Sequence, residues 1–241
     1  MNIELRGLWQ EAFGDTDEFL DMFAATAYAP ERMNRLCTDG QTVAALYWFD
    51  CEYSNKKIAY IYAVATAKAY RGRGLCHQLM KDTHEKLREQ GYAGAILVPG
   101  SKELFDLYAG MGYRICSYVQ TVSCCGQGKA DLRSIDKQEY AVLRRQFLPQ
   151  GGVLQEGANL DFLERQANFY AGSDFVLAAR QEKDILIGLE LLGEVSAASG
   201  ITAALDCKEG QFRVPGQGRP FAMYYALADT DRPTYFGLAF D

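Results

Sequence analysis

What this chain of 241 residues lacks narrows it first. No stretch approaches the ~20 consecutive apolar residues that a membrane span requires. The N-terminal MNIELRGLWQEAFGD carries acids early and has no sustained apolar segment, so no secretory leader is expected. The seven cysteines show no C-x-x-C spacing, with Cys124 and Cys125 adjacent and the others scattered. Neither a disulfide framework nor a zinc site is indicated, and reduced thiols in a cytoplasmic protein are expected. An excess of basic residues is missing too: 25 Lys and Arg against 31 Asp and Glu give a net charge of −6. That balance disfavours a nucleic-acid or anionic-membrane partner, and an acidic surface suits a cationic acceptor such as an amine. Internal repeats and low-complexity tracts are absent as well. With 49% hydrophobic and 23% charged residues the chain falls outside the disordered class, and its length suits one domain plus a partial second.

What is present centres on Val64–His77, VATAKAYRGRGLCH, where an apolar run meets a basic glycine turn and then an amphipathic helix. Gly72 and Gly74 allow positive φ and let the backbone approach a bulky anion. Arg71 and Arg73 add charge, and the helix opening near Gly74 aims free N–H groups and its positive dipole end at the same place. A pyrophosphate fits. A dinucleotide fold would need a third glycine three residues after Gly74, and a P-loop would need a Lys-Ser/Thr pair; neither follows.

Around this turn, Thr42–Tyr47 and Ile58–Thr66 read as antiparallel strands joined by a hairpin near Asp50, Glu52, Ser54 and Asn55. In the second strand, period 2 puts Tyr60, Tyr62, Val64 and Thr66 on one face and Ile61, Ala63 and Ala65 on the other. Leu75–Gln90 reads as a helix burying Cys76, Leu79, Met80, Thr83 and Leu87, with Gly91 as its stop. Ala93–Pro99 is a buried strand, completing strand, anion loop, helix, strand. Upstream, residues 7–28 hold two short helices split at Gly14–Asp17. Downstream, Ser101 caps a helix through Tyr108.

Arg71-Gly72-Arg73-Gly74-Leu75-Cys76 resembles the R/Q-x-x-G-x-G/A signature of the GNAT-type, acetyl-CoA-dependent N-acetyltransferases, with Cys76 standing where the family has Gly or Ala. Leu97–Arg114, LVPGSKELFDLYAGMGYR, resembles the family's second hallmark, a helix ending in Tyr-x-x-x-Gly-Phe/Tyr. Together the two segments cover roughly residues 40 to 120. The resemblance implies an α/β fold, a GNAT-like mixed sheet flanked by helices over residues 1–125. It also implies acetyl-CoA as cosubstrate, with pantetheine on Val64, Ala65 and Thr66 and pyrophosphate on Arg71, Gly72, Arg73, Gly74, Leu75, Cys76 and His77. Tyr108 falls at the family's general-acid position. Acetyl transfer to an amine acceptor follows, with no metal; a catalytically silent acyl-CoA-binding or regulatory module is the competing class.

The family's strand glutamate is replaced by Tyr60, so the general base stays open among Asp50, Glu52, Tyr60, Tyr62 and none at all. Solvated hairpin charges account better for Asp50 and Glu52, a core stripe with Leu104 and Met111 competes for Tyr108, and His77 and His84 read as surface or helix-end residues. After a linker at Cys124–Ala130, residues 131–241 read as a smaller α+β domain. Its expected helices are Ser134–Leu148 and Asn159–Tyr170, and its expected strands Phe175–Ala179, Ile185–Leu192, Gln211–Val214, Phe221–Tyr225 and Tyr235–Phe240, with a hairpin turn at Arg213–Pro220. A degenerate second acetyltransferase-like half fits the element order. Covering the acceptor site and mediating dimerisation both stay open as its role.

Overall fold

A computed structural model describes Met1 and residues 3–240. In chain order its main elements are α1 (Ile3–Phe13), α2 (Asp17–Thr26), β1 (Met33–Thr38), β2 (Gln41–Tyr53), β3 (Lys56–Thr66), α3 (Leu75–Glu89), β4 (Gly94–Leu97), α4 (Lys102–Gly110) and β5 (Arg114–Cys125). Then come β6 (Arg133–Ile135), α5 (Lys137–Phe147), α6 (Ala158–Leu163), β7 (Asn168–Ala171), β8 (Phe175–Glu182), β9 (Ile185–Gly193), α7 (Ala198–Ala204), β10 (Glu209–Pro215) and β11 (Arg219–Ala226). Among the described residues no helix is long and apolar enough to cross a membrane. The chain forms two compact units. One is Met1–Arg114 joined by Gly157–Phe162 and Tyr224–Arg232; the other is Ile115–Glu156, Leu163–Met223 and the residues from Pro233 on.

In the first unit β1, β2, β3 and β4 lie side by side in that order. Two tight hairpins set the antiparallel registers. Asp39 and Gly40 have φ of 52° and 80°, and Ser54 and Asn55 have 50° and 58°, so both turns are of the primed kind whose twist matches their strands. β4 then pairs parallel with β3, Ile58 against Gly94 and Tyr60 against Ile96, with α3 as the crossover. β2 is longer than its apolar run suggests, so Asp50 and Glu52 lie within a strand and not in the turn. Asp50 is no solvated hairpin charge: it takes Arg32 at 3.1 Å, Lys57 at 3.4 Å and the Tyr92 hydroxyl.

The two faces of this sheet differ. Tyr47 and Phe49 stand opposite Tyr62 and Tyr60, and Phe23 of α2 and Phe162 of α6 close over them with centroids 5.1–5.8 Å apart. Such edge-on and offset contacts add about 0.5–1.5 kcal/mol per pair to plain burial. On the other face α3 buries Leu79, Met80, Thr83, His84 and Leu87, and Lys86 sits 5.0 Å over the Trp48 ring.

His84 is therefore a core residue, contrary to its expected place at the surface. Its Nε2 meets the Tyr113 hydroxyl at 2.8 Å and its ring stacks 4.2 Å from Tyr225. Burial, and then the Arg88 charge, push its pKa down from 6.5 to about 4. The unfolded chain thus binds a proton that the folded one refuses, and stability is lost as pH falls from about 6.5 to about 4. Replacement by Gln, which preserves a partner for Tyr113, is expected to flatten urea-unfolding stability against pH over that window relative to wild type; parallel curves would contradict a neutral buried His84.

The second unit is built on β5, β10, β9, β8, β7 and β6, again in spatial order. β10 runs antiparallel to β5 and parallel to β9, and the remaining pairs are antiparallel. Phe175, Leu177, Leu191, Ile201 and Phe212 belong to one hydrophobic core cluster of it.

Several expectations are corrected here. Cys124 and Cys125 belong to β5, paired with Gly210 and Glu209, and are not linker. Arg133–Ile135 is a strand, and the helix starts only after Asp136, whose carboxylate accepts from the Glu139 N–H at 2.8 Å. The helix expected over Asn159–Tyr170 stops at Leu163, and Asn168–Ala171 is β7, because Phe169 and Tyr170 find strand partners in Ala178 and Leu177. Tyr235–Phe240 is buried but makes only an isolated bridge, Gly152 with Tyr235. Side chains take over the work of a ladder there: Ser117 bonds both polar backbone groups of Phe236, Gln155 donates to the Leu238 carbonyl at 2.7 Å, and Arg213 donates to that of Gly237 at 3.1 Å. Arg213–Pro220 is no hairpin turn, since β5 lies between β10 and β11. Its Gly218 crosses the middle of β5, where a Cβ would stand 2.8 Å from the Val119 carbonyl oxygen.

Candidate active site

β3 delivers the site, and an extra residue in it changes its course. From Ala45–Ala65 to Tyr47–Tyr62 the pairing advances two residues on β2 and three on β3. This bulge coincides with a positive φ of 51° at Ala63. The strict alternation of faces expected along Tyr60–Thr66 therefore fails beyond Tyr62. Trp9 of α1 pins the bulge by donating its indole N–H to the Ala63 carbonyl at 3.1 Å.

The β3 ladder with β4 ends at Tyr60–Ile96. Ile61, Tyr62, Ala65 and Thr66 pair only with β2, which turns the far edge of Val64–Thr66 into unladdered backbone. An extended amide-bearing chain such as pantetheine can lie along an edge of that kind. Ala65 is buried and Val64 and Thr66 half-buried.

The chain then enters the glycine turn. Ala67 donates to the Val43 carbonyl at 2.9 Å, and the Lys68 N–H donates to Glu11 at 2.9 Å. Arg71 reaches back to the Thr66 carbonyl at 3.0 Å, and Arg73 to that of Ala69 at 3.1 Å with its guanidinium 5.0 Å over the Tyr70 ring. Gly72 and Gly74 both have φ of 76°, and a Cβ on either would meet nothing within 4 Å. The left-handed Gly74 caps α3 without a side-chain bond, and the first helical bond is Gln78 N–H to the Gly74 carbonyl at 3.1 Å. The N–H groups of Leu75, Cys76 and His77 thus precede the helical ladder and are free to meet an anion. His77 is exposed and Cys76 half-buried. Burial pushes the Cys76 thiol up from 9.0, which keeps it a neutral small side chain and no nucleophile.

Tyr108 comes from α4, which starts at a Ser101 cap. It is the one buried residue of that helix, while Leu104 is 36% exposed, so the two do not share a buried core stripe. Burial, and then the nearby Cys76, hold its phenol above the ordinary 10.0, so it is protonated at neutral pH. Every fully buried polar side-chain atom among the described residues has a partner. The Tyr108 hydroxyl has none among the described residues, so its oxygen is not fully shut off from solvent. The structure therefore places a protonated phenol near Cys76 in the first turn of α3.

Residues 4–116 match the acetyltransferase (GNAT) domain family model. The chain carries a GNAT domain. No curated protein sequence matches the chain. Solved structures share its fold at low identity: a GCN5-related N-acetyltransferase from Kribbella flavida (TM-score 0.70, 15% identity, 92% of this chain and 68% of that one). Another, from Anabaena variabilis, has TM-score 0.70 at 14% identity over 93% of this chain and 70% of that one. A conserved Enterococcus faecalis protein reaches 0.68 at 17%, covering the same shares.

Among the GNAT domain's own residues, sequence reasoning missed Trp9 and Glu11, which hold the bulge and the turn through backbone groups. Neither sits in a motif, and their partners lie far along the chain. Asp50 drops out as a candidate base because two cations and a phenol already occupy its carboxylate. Among the described residues no cluster of His, Cys, Asp and Glu could hold a metal.

Proposed function

We propose that the protein is a cytoplasmic N-acyltransferase that passes an acetyl group from acetyl-CoA directly to an amine. The observation that carries this reading is the pair Gly72 and Gly74, both left-handed, opening α3 with unladdered N–H groups. The pyrophosphate would sit on Gly72–His77, with Arg71 and Arg73 adding charge, and the pantetheine along Val64–Thr66. Attack of the neutral amine on the thioester carbon forms the new C–N bond, and collapse of the adduct breaks C–S. Tyr108 then gives its proton to the leaving thiolate, and the proton that attack leaves surplus on the new amide nitrogen passes through solvent to reprotonate the Tyr108 phenolate. With Tyr60 where the family carries a carboxylate, the bound ammonium loses its proton to water. A net charge of −6 favours a cationic acceptor.

Calorimetric titration with acetyl-CoA and desulfo-CoA, paired with a thiol-release assay over a panel of amines, tests the proposal. Micromolar binding with turnover is expected. Binding with no turnover on any amine would move the protein to the silent acyl-CoA-binding class, which Tyr60 at the base position also fits. Tyr108→Phe is expected to leave CoA affinity intact and to lower kcat about 100-fold, the scale of a general-acid contribution; an unchanged kcat would remove Tyr108 from the reaction.

A further inference from the structure

A second cleft, of about 510 Å³, opens at the far end of α3 from the glycine turn. Fifteen helical residues separate the two places by roughly 22 Å. It is lined by Asn55 of the β2–β3 turn, by Lys56 and Lys57 at the start of β3, and by Arg88, Gly91, Tyr92 and Ala93 around the end of α3. Gly91 has φ of 77° and open space where a Cβ would be. The volume lies in the range of small-molecule sites.

The charge of this cleft runs against that of the chain. Lys57 shares Asp50 with Arg32, at 3.4 and 3.1 Å, so one carboxylate answers two cations. Lys56 has only the Asp229 carbonyl, at 3.2 Å, and Arg88 only the Tyr225 phenol, at 3.4 Å. Neither has a carboxylate partner among the described residues. The wall is also rigidly built: Trp48 donates to the Tyr92 hydroxyl at 2.9 Å, and Tyr92 in turn donates to Asp50. Its ring carries the Lys57 ammonium 4.2 Å from the centroid. Surplus positive charge on Lys56 and Arg88 thus stands beside a wall fixed by Trp48, Tyr92 and Asp50, on a protein of net charge −6.

We propose that this cleft binds a phosphate-bearing small molecule, at a site separate from the glycine turn. A phosphate dianion answers more than one of the unpaired cations at once, Asn55 offers an amide donor, and the cleft has room for the body that carries the phosphate. The assignment does not depend on acyl-CoA binding.

The test is an amide-resolved NMR titration of the full chain with pyrophosphate at low ionic strength. Saturable shifts at the Gly91 and Ala93 amides are expected. Lys56→Glu with Arg88→Glu should weaken them at least about tenfold. Lys81→Glu with Lys129→Glu, which changes the net charge equally at exposed sites outside the cleft, should leave them unchanged. Gly74→Glu should remove shifts only at the glycine turn. Shifts at Gly91 and Ala93 that persist in Gly74→Glu support the cleft even if acetyl-CoA binds nowhere. No saturable shift at these amides, equal affinity in the cleft variant, or an equal loss in the charge control would overturn the proposal.

Discussion

Gly74→Glu is expected to weaken acetyl-CoA binding by more than about 100-fold, or roughly 2.7 kcal/mol, in a protein that still folds. Two terms separate cleanly at this position. The backbone term is the left-handed conformation, φ 76°, which costs a residue with a Cβ about 1–2 kcal/mol. That cost falls on the fold, and it is bearable because a Cβ would meet no atom within 4 Å and a carboxylate is tolerated at a helix N-terminus. The ligand term is larger. In the proposed binding mode the pyrophosphate lies in the open space beside Gly74, against the first N–H groups of α3, and the new side chain fills that space with a like charge. Gly74→Ala carries the first term and only the bulk of a methyl group, so its CoA affinity should fall between the two. Calorimetry on wild type, Ala and Glu variants reads the series; equal affinity across all three would take the turn out of the binding site.

The glycine turn was legible because everything that defines it is local. Two glycines with one residue between them, an apolar run before and a 3.6-residue pattern after can be read with no knowledge of the fold. β2, β3, α3 and β4 followed for the same reason. β1 was equally accessible, since Asp39-Gly40 is a strong hairpin signal, but MNRLCT lacks the apolar alternation that draws the eye. α7 was hidden differently: its Ala, Ser and Gly residues are small because Gly200 packs against the Lys129 carbonyl and Gly210 of β10 lies under Thr202. Where the reading failed, distance along the chain was the cause. Phe162 joins Phe23 and Phe49 in the first unit, and Tyr224 lies where a Gly94 Cβ would stand, 2.0 Å from its hydroxyl. Periodicity reports that a segment has a buried face; it does not say against which segment that face is buried. The bulge at Ala63 is the same problem within the site, because it answers to Trp9.

Glu190→Ala is expected to destabilise the protein by about 3–5 kcal/mol, the scale for breaking a buried ion pair. Glu190 of β9 is 0% exposed and receives Arg144 Nε at 2.6 Å and Nη2 at 3.0 Å. The Tyr235 hydroxyl donates to it at 3.0 Å and that of Tyr140 at 3.4 Å. Burial, and then the Glu190 charge, hold both phenols well above their ordinary pKa, so they remain donors. Two further N–H groups of Arg144 go to the Val153 carbonyl at 3.2 Å and to Gln155 at 3.5 Å. Every polar group in this cluster is answered, and Gly237 lies so near that a Cβ there would come within 2.3 Å of a Glu190 oxygen. Truncation leaves the guanidinium buried without its counter-charge and two phenols without an acceptor. Arg144→Met with Glu190→Leu removes both charges at similar volume and should recover the part of the loss that comes from the unpaired guanidinium, while the two phenols stay without their acceptor. Urea unfolding of wild type, Arg144→Met, Glu190→Leu and the double variant closes a double-mutant cycle: strong coupling is expected, and a loss below about 1 kcal/mol in Glu190→Ala would mean that water reaches the pair.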